Sequence, residues 1–340
     1  MSSDLDTWAA ASIAEGSKSF ALASRLFDAE TKRRVRLLYA WCRTCDDIID
    51  GQEGGRRGVP LGAAVESEAA VIARLDMLRE RTARGLAAPE SESGAFRAIG
   101  MVARETGLPR DLPMRHLTGF AMDAYDRRYR SIEDVLDYCE HVAGVVGRMM
   151  AIVMGIAPDR EDVLVRAADL GLAFQLTNIC RDVLEDAAND RCYLPTEWLV
   201  AEDIPPGEHA RPEYRNGLAR IADTMLLLAD GYYDSARAGA THLPYRSAWA
   251  VLTAAKVYRA IGEKVRAAGP GAWDERRYTT TLEKLGMLAA ARAEAKAAER
   301  DGPAPLAKRP GLWTWTGEDA WREPAPLMAA AEDAREAAAE

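Results

Sequence analysis

Residues 175–195, QLTNICRDVLEDAANDRCYLP, concentrate side chains that could do chemistry. Gln175, Asn178, Asp182 and Asp186 recur at spacings of three, four and four, which on a helix places them on one face. Leu176, Ile179 and Val183 form an apolar stripe beside it, and Arg181 and Glu185 flank the polar one. Carboxylates one helical turn apart repel each other, and left unpaired inside a cavity they are costly. A hard divalent cation with oxygen ligands, Mg²⁺ or Mn²⁺, relieves both problems, and such ions complete their shells with phosphate oxygens.

Residues 38–51, LYAWCRTCDDIIDG, repeat the device. Tyr39, Arg43, Asp46 and Asp50 fall at spacings of four, three and four, again one helical face. Leu38, Cys42, Cys45 and Ile49 fall on the next face and read as its packing side. Gly51 follows as a helix stop. One such stripe alone reads equally well as a solvated acidic face. Two stripes, each with an arginine and an amide or phenol in register, predict two helices facing one another across a cavity. Two or three divalent ions between them would grip a diphosphate.

The elements that must position these stripes are helical. Periodicity and Gly/Pro punctuation predict helices over 29–50, 63–84, 92–106, 114–126, 132–155, 160–186, 215–239 and 246–267. A last helix runs to about residue 300 and is opened by Arg276, Arg277 and Tyr278. Breaks fall at 51–62, 107–113, 204–214 and 269–273. Ser131, with Asp134 three residues on, approximates a capping box. Gly144 and Gly147 in HVAGVVGRMM cost a helix stability. They therefore serve close approach, either of another helix or, as a smooth apolar wall, of a long hydrocarbon. Ser17, Lys18, Ser19 and Phe20 follow Gly16, and the hydroxyls and lysine fit either an N-cap or donors to phosphate.

Composition agrees with one helical unit. The 340 residues are 48% hydrophobic but only 7% aromatic, with few strand-like runs. Residues 1–300 read as a single all-α domain. Residues 301–340 form a Pro/Trp-rich tail whose Trp313, Trp315 and Trp321 are expected to pack on the body. The net charge of −9 argues against a nucleic-acid surface. An acidic chain must hold an anionic substrate through metals and local arginines. The five cysteines are odd in number, and Cys42 and Cys45 form a C-x-x-C inside a helical pattern with no second pair and no nearby His. Two core thiols in a reducing compartment are the better reading than a zinc or redox motif. The N-terminus has no secretory pattern, and no stretch approaches ~18 uninterrupted apolar residues. The chain is expected to be soluble or peripheral.

SKSFALASRLF, LYAWCRTCDDIID, YCEHVAGVVGRMM, QLTNICRDVLEDAANDRCYLP and VYRAIGEKVR, in this order and spacing, resemble the squalene/phytoene synthase family of head-to-head prenyl synthases, and within it the bacterial phytoene synthases. The likeness covers residues from about 12 to 312, so nothing functional is inferred for the tail beyond it. It implies the all-α class I isoprenoid synthase bundle around a central cavity. It also implies that two geranylgeranyl diphosphates are joined through prephytoene diphosphate to phytoene, the first step of carotenoid synthesis, without NADPH. Asp46, Asp50, Asp182 and Asp186, with Asn178, would hold two or three Mg²⁺ or Mn²⁺ ions. Arg43 and Arg181 suit bidentate phosphate contacts, and Ser17, Ser19, Tyr193 and Arg276 match positions that touch diphosphate. Phe20, Tyr39, Tyr138, Val142, Ala143, Val146, Gly147, Leu170, Phe174, Gln175 and Tyr258 match the cavity wall. Leu184 stands where the family commonly has Gly, with little consequence for chemistry. The resemblance further implies a cytoplasmic enzyme with peripheral contact at the inner face of the membrane, since a forty-carbon hydrocarbon needs an exit, and a downstream desaturase as neighbour. Two other readings stay open: a sister enzyme making presqualene diphosphate or dehydrosqualene from farnesyl diphosphate, and a non-catalytic assembly factor, which would be expected to lose aspartates that are intact here.

Overall fold

The computed structural model describes Ala9 and residues 25–49, 52–53, 56–57, 68–317 and 321. Asp28 starts the first helix whose bounds fall among the described residues, its carboxylate accepting from the backbone N–H groups of Glu30 and Thr31 at 3.1 and 3.0 Å, as an N-cap should. This helix, α1 (Ala29–Ile49), buries Val35, Leu38, Trp41, Cys45 and Ile49 along one face. A two-residue antiparallel hairpin, β1 (Gln52–Glu53) with β2 (Arg56–Arg57), pairs Gln52 with Arg57. Then come α2 (Glu68–Ala87), α3 (Gly94–Thr106) and α4 (Asp111–Ala124). α4 starts earlier than the sequence suggests because Pro113 sits in its first turn, where a missing N–H costs nothing.

Residues 132–153 are continuous but not uniform. α5 (Ile132–Cys139) passes through a π turn (Glu140–Gly144) into α6 (Val145–Val153). No periodicity announced this turn, a rare form concentrated at functional sites. Asp134 closes the expected cap at its start, accepting from the N–H of Arg130 at 2.9 Å and of Ser131 at 3.4 Å.

The long helix α7 (Glu161–Ala187) is the axis of the bundle. It packs against α5, the π turn, α6, α9 (Arg215–Ala240) and α10 (Tyr245–Ala268). One 18-residue window has a mean hydropathy of 1.3, enough to cross a membrane by composition, yet 67% of it is buried inside the bundle. The short α8 (Thr196–Ala201) was not anticipated. The last helix among the described residues, α11 (Thr281–Asp301), begins later than the sequence predicts. Thr280 and Glu283 form a reciprocal capping box, so Arg276, Arg277 and Tyr278 precede the helix instead of opening it. Arg277 donates to the carbonyls of Ala272 and Gly271, which fixes this non-helical approach. Beyond α11 the chain lies on the body: Trp315 covers the Arg115 guanidinium at 3.6 Å, Trp313 packs on the α7–α9 core, and Trp321 sits 6.1 Å from Tyr125.

Candidate active site

α1 and α7 present their polar stripes to one chamber of about 530 Å³. From α1 come Tyr39, Arg43 and Asp46; from α7 come Gln175, Asn178, Arg181, Asp182 and Asp186. The other stripe of α1 is its packing side at Leu38, Cys45 and Ile49. Leu38 and Cys42 also border the chamber, where burial first, then Asp46, pushes the Cys42 thiol up to about 12. All five cysteines are free. Asp50, Ser17, Ser19 and Phe20 lie outside the described residues.

Beyond α7, Asp190 adopts φ 58° and Arg191 N–H bonds back to the Asp186 carbonyl at 3.0 Å. This reversal returns Arg191 and Tyr193 to the chamber. Tyr193 stacks on Tyr138 at 5.0 Å, and both hydroxyls donate to Asp123 of α4 at 3.0 Å. Asp123 was missed from sequence. It shares a face of α4 with His116 and Phe120, but its two partners lie 15 and 70 residues away, so spacing within α4 does not reveal them. His116 and Phe120 of α4 also line the chamber unannounced.

The carboxylates are already in ionic contact with arginines. Arg43 reaches Asp46 at 2.9 Å and Asp47 at 2.8 Å. Arg181 grips Asp182 with two nitrogens, one at 2.8 Å. Arg276 lies just outside the chamber, bonded to Asp182 at 3.2 Å and to Glu185. Asp186 is pushed up to about 7, chiefly by burial and next by Asp182, with Arg191 opposing. Among the described residues no three His, Cys, Asp or Glu side chains converge on one point. Nevertheless the donor set suits a hard cation. Oδ1 of Asn178 is buried without a hydrogen-bond partner, an expensive condition that an outside electrophile would relieve. Asp46, Asp182 and Asp186 add oxygens to the same chamber. An ion entering here would have to draw Asp46 and Asp182 from their arginines, freeing guanidinium groups for other anions.

The chamber adjoins a second, apolar cavity of about 530 Å³ between α6, α7, α9 and α10. Tyr39, Val142, Val146, Met150, Gln175 and Asn178 border both. Gly147 and Phe174 line the apolar part with Ala143 and Leu170, and the Tyr258 ring lies tilted against Phe174 with centroids 4.4 Å apart. Gly147 also settles how the two helices approach: a Cβ there would lie 2.1 Å from the Ala167 carbonyl oxygen, and one on Gly171 would lie 2.2 Å from that of Ala143. Backbone-to-backbone contact of α7 with α6 and with the π turn before it requires both glycines, and the cavity wall is what that contact leaves exposed.

Residues 13–284 match the family model described as squalene/phytoene synthase. A phytoene synthase of Pseudescherichia vulneris is 50% identical over 302 residues, covering 88% of this chain and 94% of that protein. The 15-cis-phytoene synthase of Pantoea ananas is 48% identical over 283 residues, covering 83% and 89%. The crystal structure of a dehydrosqualene synthase in complex with ligand superposes with a TM-score of 0.73 at 24% identity, covering 87% of this chain and 98% of that one. That likeness establishes the helical isoprenoid synthase fold. With two aspartate stripes on facing helices, a cavity behind them and a match across most of its length, the chain belongs to the squalene/phytoene synthase family.

Proposed function

We propose that this chain is a phytoene synthase that joins two geranylgeranyl diphosphates head to head. The observation that carries the reading is that a carboxylate- and arginine-lined chamber and an apolar cavity share six lining residues. An amphiphile with an anionic head and a long hydrocarbon tail fits that pair of spaces. The bacterial relatives named phytoene synthase, at 48–50% identity over more than four-fifths of this chain, support the choice of substrate.

In the first half-reaction the carbon–oxygen bond of one substrate breaks and its diphosphate leaves with the electron pair. The double bond of the second substrate attacks the allyl cation, and loss of a proton closes a cyclopropane. In the second half-reaction the remaining diphosphate leaves, the ring rearranges, and a second proton is lost. Two diphosphates and two protons depart with no net change in oxidation state, so no reductant is needed. Mg²⁺ or Mn²⁺ ions, two or three of them held by Asp46, Asp50, Asn178, Asp182 and Asp186, would supply positive charge where the leaving diphosphate becomes more anionic. Arg43, Arg181, Arg191 and Arg276 offer planar guanidinium groups to phosphate oxygens. The rings of Phe174, Tyr258, Tyr138 and Tyr193 present faces that favour cationic carbon. The apolar wall excludes water that would capture it. Asp123 accepts from both tyrosine hydroxyls, which fixes the orientation of the two rings in the chamber.

Purified protein incubated with Mg²⁺ and geranylgeranyl diphosphate, without NADPH, should yield a forty-carbon hydrocarbon by mass spectrometry. Product from farnesyl diphosphate alone would move the activity to the thirty-carbon branch. Folded protein silent with both would remove the catalytic reading.

A further inference from the structure

Of the α7 residues that line the apolar cavity, Val163 and Arg166 lie farthest from Asp182, and Gly239, Ala240 and Leu243 line it with them. Arg166 lies 16 residues before Asp182 on α7, about 24 Å along the axis at 1.5 Å per residue. It is 6% exposed. A guanidinium at the end of a hydrocarbon cavity needs its donors satisfied elsewhere. Nη1 donates to the Asp162 carbonyl at 2.6 Å, and Nη2 donates to the carbonyl of Ala307, in the segment after α11. The stem of Arg166 is pinned from the other side, where a Cβ on Gly239 would come within 2.6 Å of it.

That segment is itself anchored around the same end. Ala304 N–H bonds to Thr241 Oγ1 at 2.9 Å, and His242 Nε2–H donates to the Ala304 carbonyl at 3.1 Å. Arg309 closes on Asp169, three residues along α7 from Arg166, with Nε at 2.7 Å and a second nitrogen on the other oxygen. Asp169 is buried and also accepts from Ser235 at 2.5 Å. All of these tail residues lie beyond the span 13–284 that the family model matches.

We propose that residues 304–309 form the outer support of the cavity's far end, and that, acting through Arg166, they limit the length of hydrocarbon it accepts. Arg166 is the length stop; Ala307 and Arg309 are positioning residues. This rests on the reading that the cavity holds a prenyl chain. Without the Ala307 carbonyl, the Arg166 guanidinium loses a buried partner and is driven toward solvent, which opens the end of the cavity.

The test compares geranylgeranyl with geranylfarnesyl diphosphate as competing substrates. Two forms of the full chain are used: Arg166→Ala, and the pair Asp169→Asn with Arg309→Met, which removes both charges together so that neither is stranded. Thermal-shift binding of unreactive thiolo-diphosphate analogues of graded chain length is measured alongside. Both forms are expected to raise the longer-to-shorter ratio of kcat/KM about tenfold, the discrimination that a small change of apolar pocket length supports. The analogue length cut-off should move with it. An unchanged ratio in folded Arg166→Ala overturns the proposal. So does a shift in Arg166→Ala without one in the paired variant, or an equal loss on both substrates. Wild-type protein inactive on every prenyl diphosphate, with a cut-off that still moves in both variants, would refute the assigned reaction and uphold the length stop.

Discussion

Replacing Gly147 by alanine distinguishes the two uses that its position allows. The added Cβ would stand 2.1 Å from the Ala167 carbonyl oxygen and 2.8 Å from its carbon. Neither is a flexible side-chain end, so α6 must move away from α7 as a body. Overpacking of this kind costs about 3 kcal/mol, the upper part of its usual range. For a chain of 340 residues that corresponds to a Tm roughly 4 °C lower. Gly171→Ala meets the Ala143 carbonyl at 2.2 Å across the same interface and should cost about as much. The double variant should cost less than the sum, because one displacement relieves both contacts. Gly286→Ala is the control: it lies inside α11 with nothing within 4 Å of a new Cβ, and it should gain up to about 1 kcal/mol from helix propensity. Thermal melts followed by circular dichroism, with product analysis on the same samples, read all four. A wild-type Tm in Gly147→Ala, accompanied by an altered preference for substrate length, would refute the packing argument and assign the glycine to the hydrocarbon.

Asp46→Ala and Asp182→Ala should each lower turnover by a factor of roughly 10³ or more, given how much of ionisation rests on charge neutralisation at the leaving group. Far-UV circular dichroism should stay unchanged, and wild-type turnover in either variant would overturn the metal assignment. His116 gives a pH signature. Burial holds its imidazole down at about 4, against 6.5 ordinarily, while its Nδ1–H donates to the His141 carbonyl at 3.1 Å. The folded state therefore binds the proton less readily than the unfolded chain. The stability it contributes, about 3 kcal/mol, is complete above pH 6.5 and is lost as the pH falls toward 4. Denaturant titrations between those limits should show that slope and should flatten in His116→Gln; parallel curves would refute the assignment.

Spacing rules revealed the aspartate stripes because the side chains of α1 and α7 act within one helix, where residues three and four apart share a face whatever the rest of the chain does. The same holds for Thr280 and Glu283, whose capping box was present in the letters but overlooked in favour of the charged residues before it. Arg276 illustrates the limit. Its identity marked it for anion binding, yet its attachment to Asp182 and Glu185 joins residues more than ninety positions apart. Spacing says nothing about such pairs.

The amino-acid sequence by itself determined the helical class, the two polar faces and the chemistry they can support, since these follow from local periodicity and donor type. Tertiary structure decided which of those faces meet. It recruited Asp123 to the tyrosines through contacts between α4, α5 and the segment after α7. It placed the carboxylates in the hands of arginines, so that a cation must compete for them. It also laid the tail against Arg166 at the far end of the cavity. Each of these depends on the close packing of distant segments, where a carbonyl, a missing Cβ or a buried charge takes its meaning from whatever the fold has set beside it.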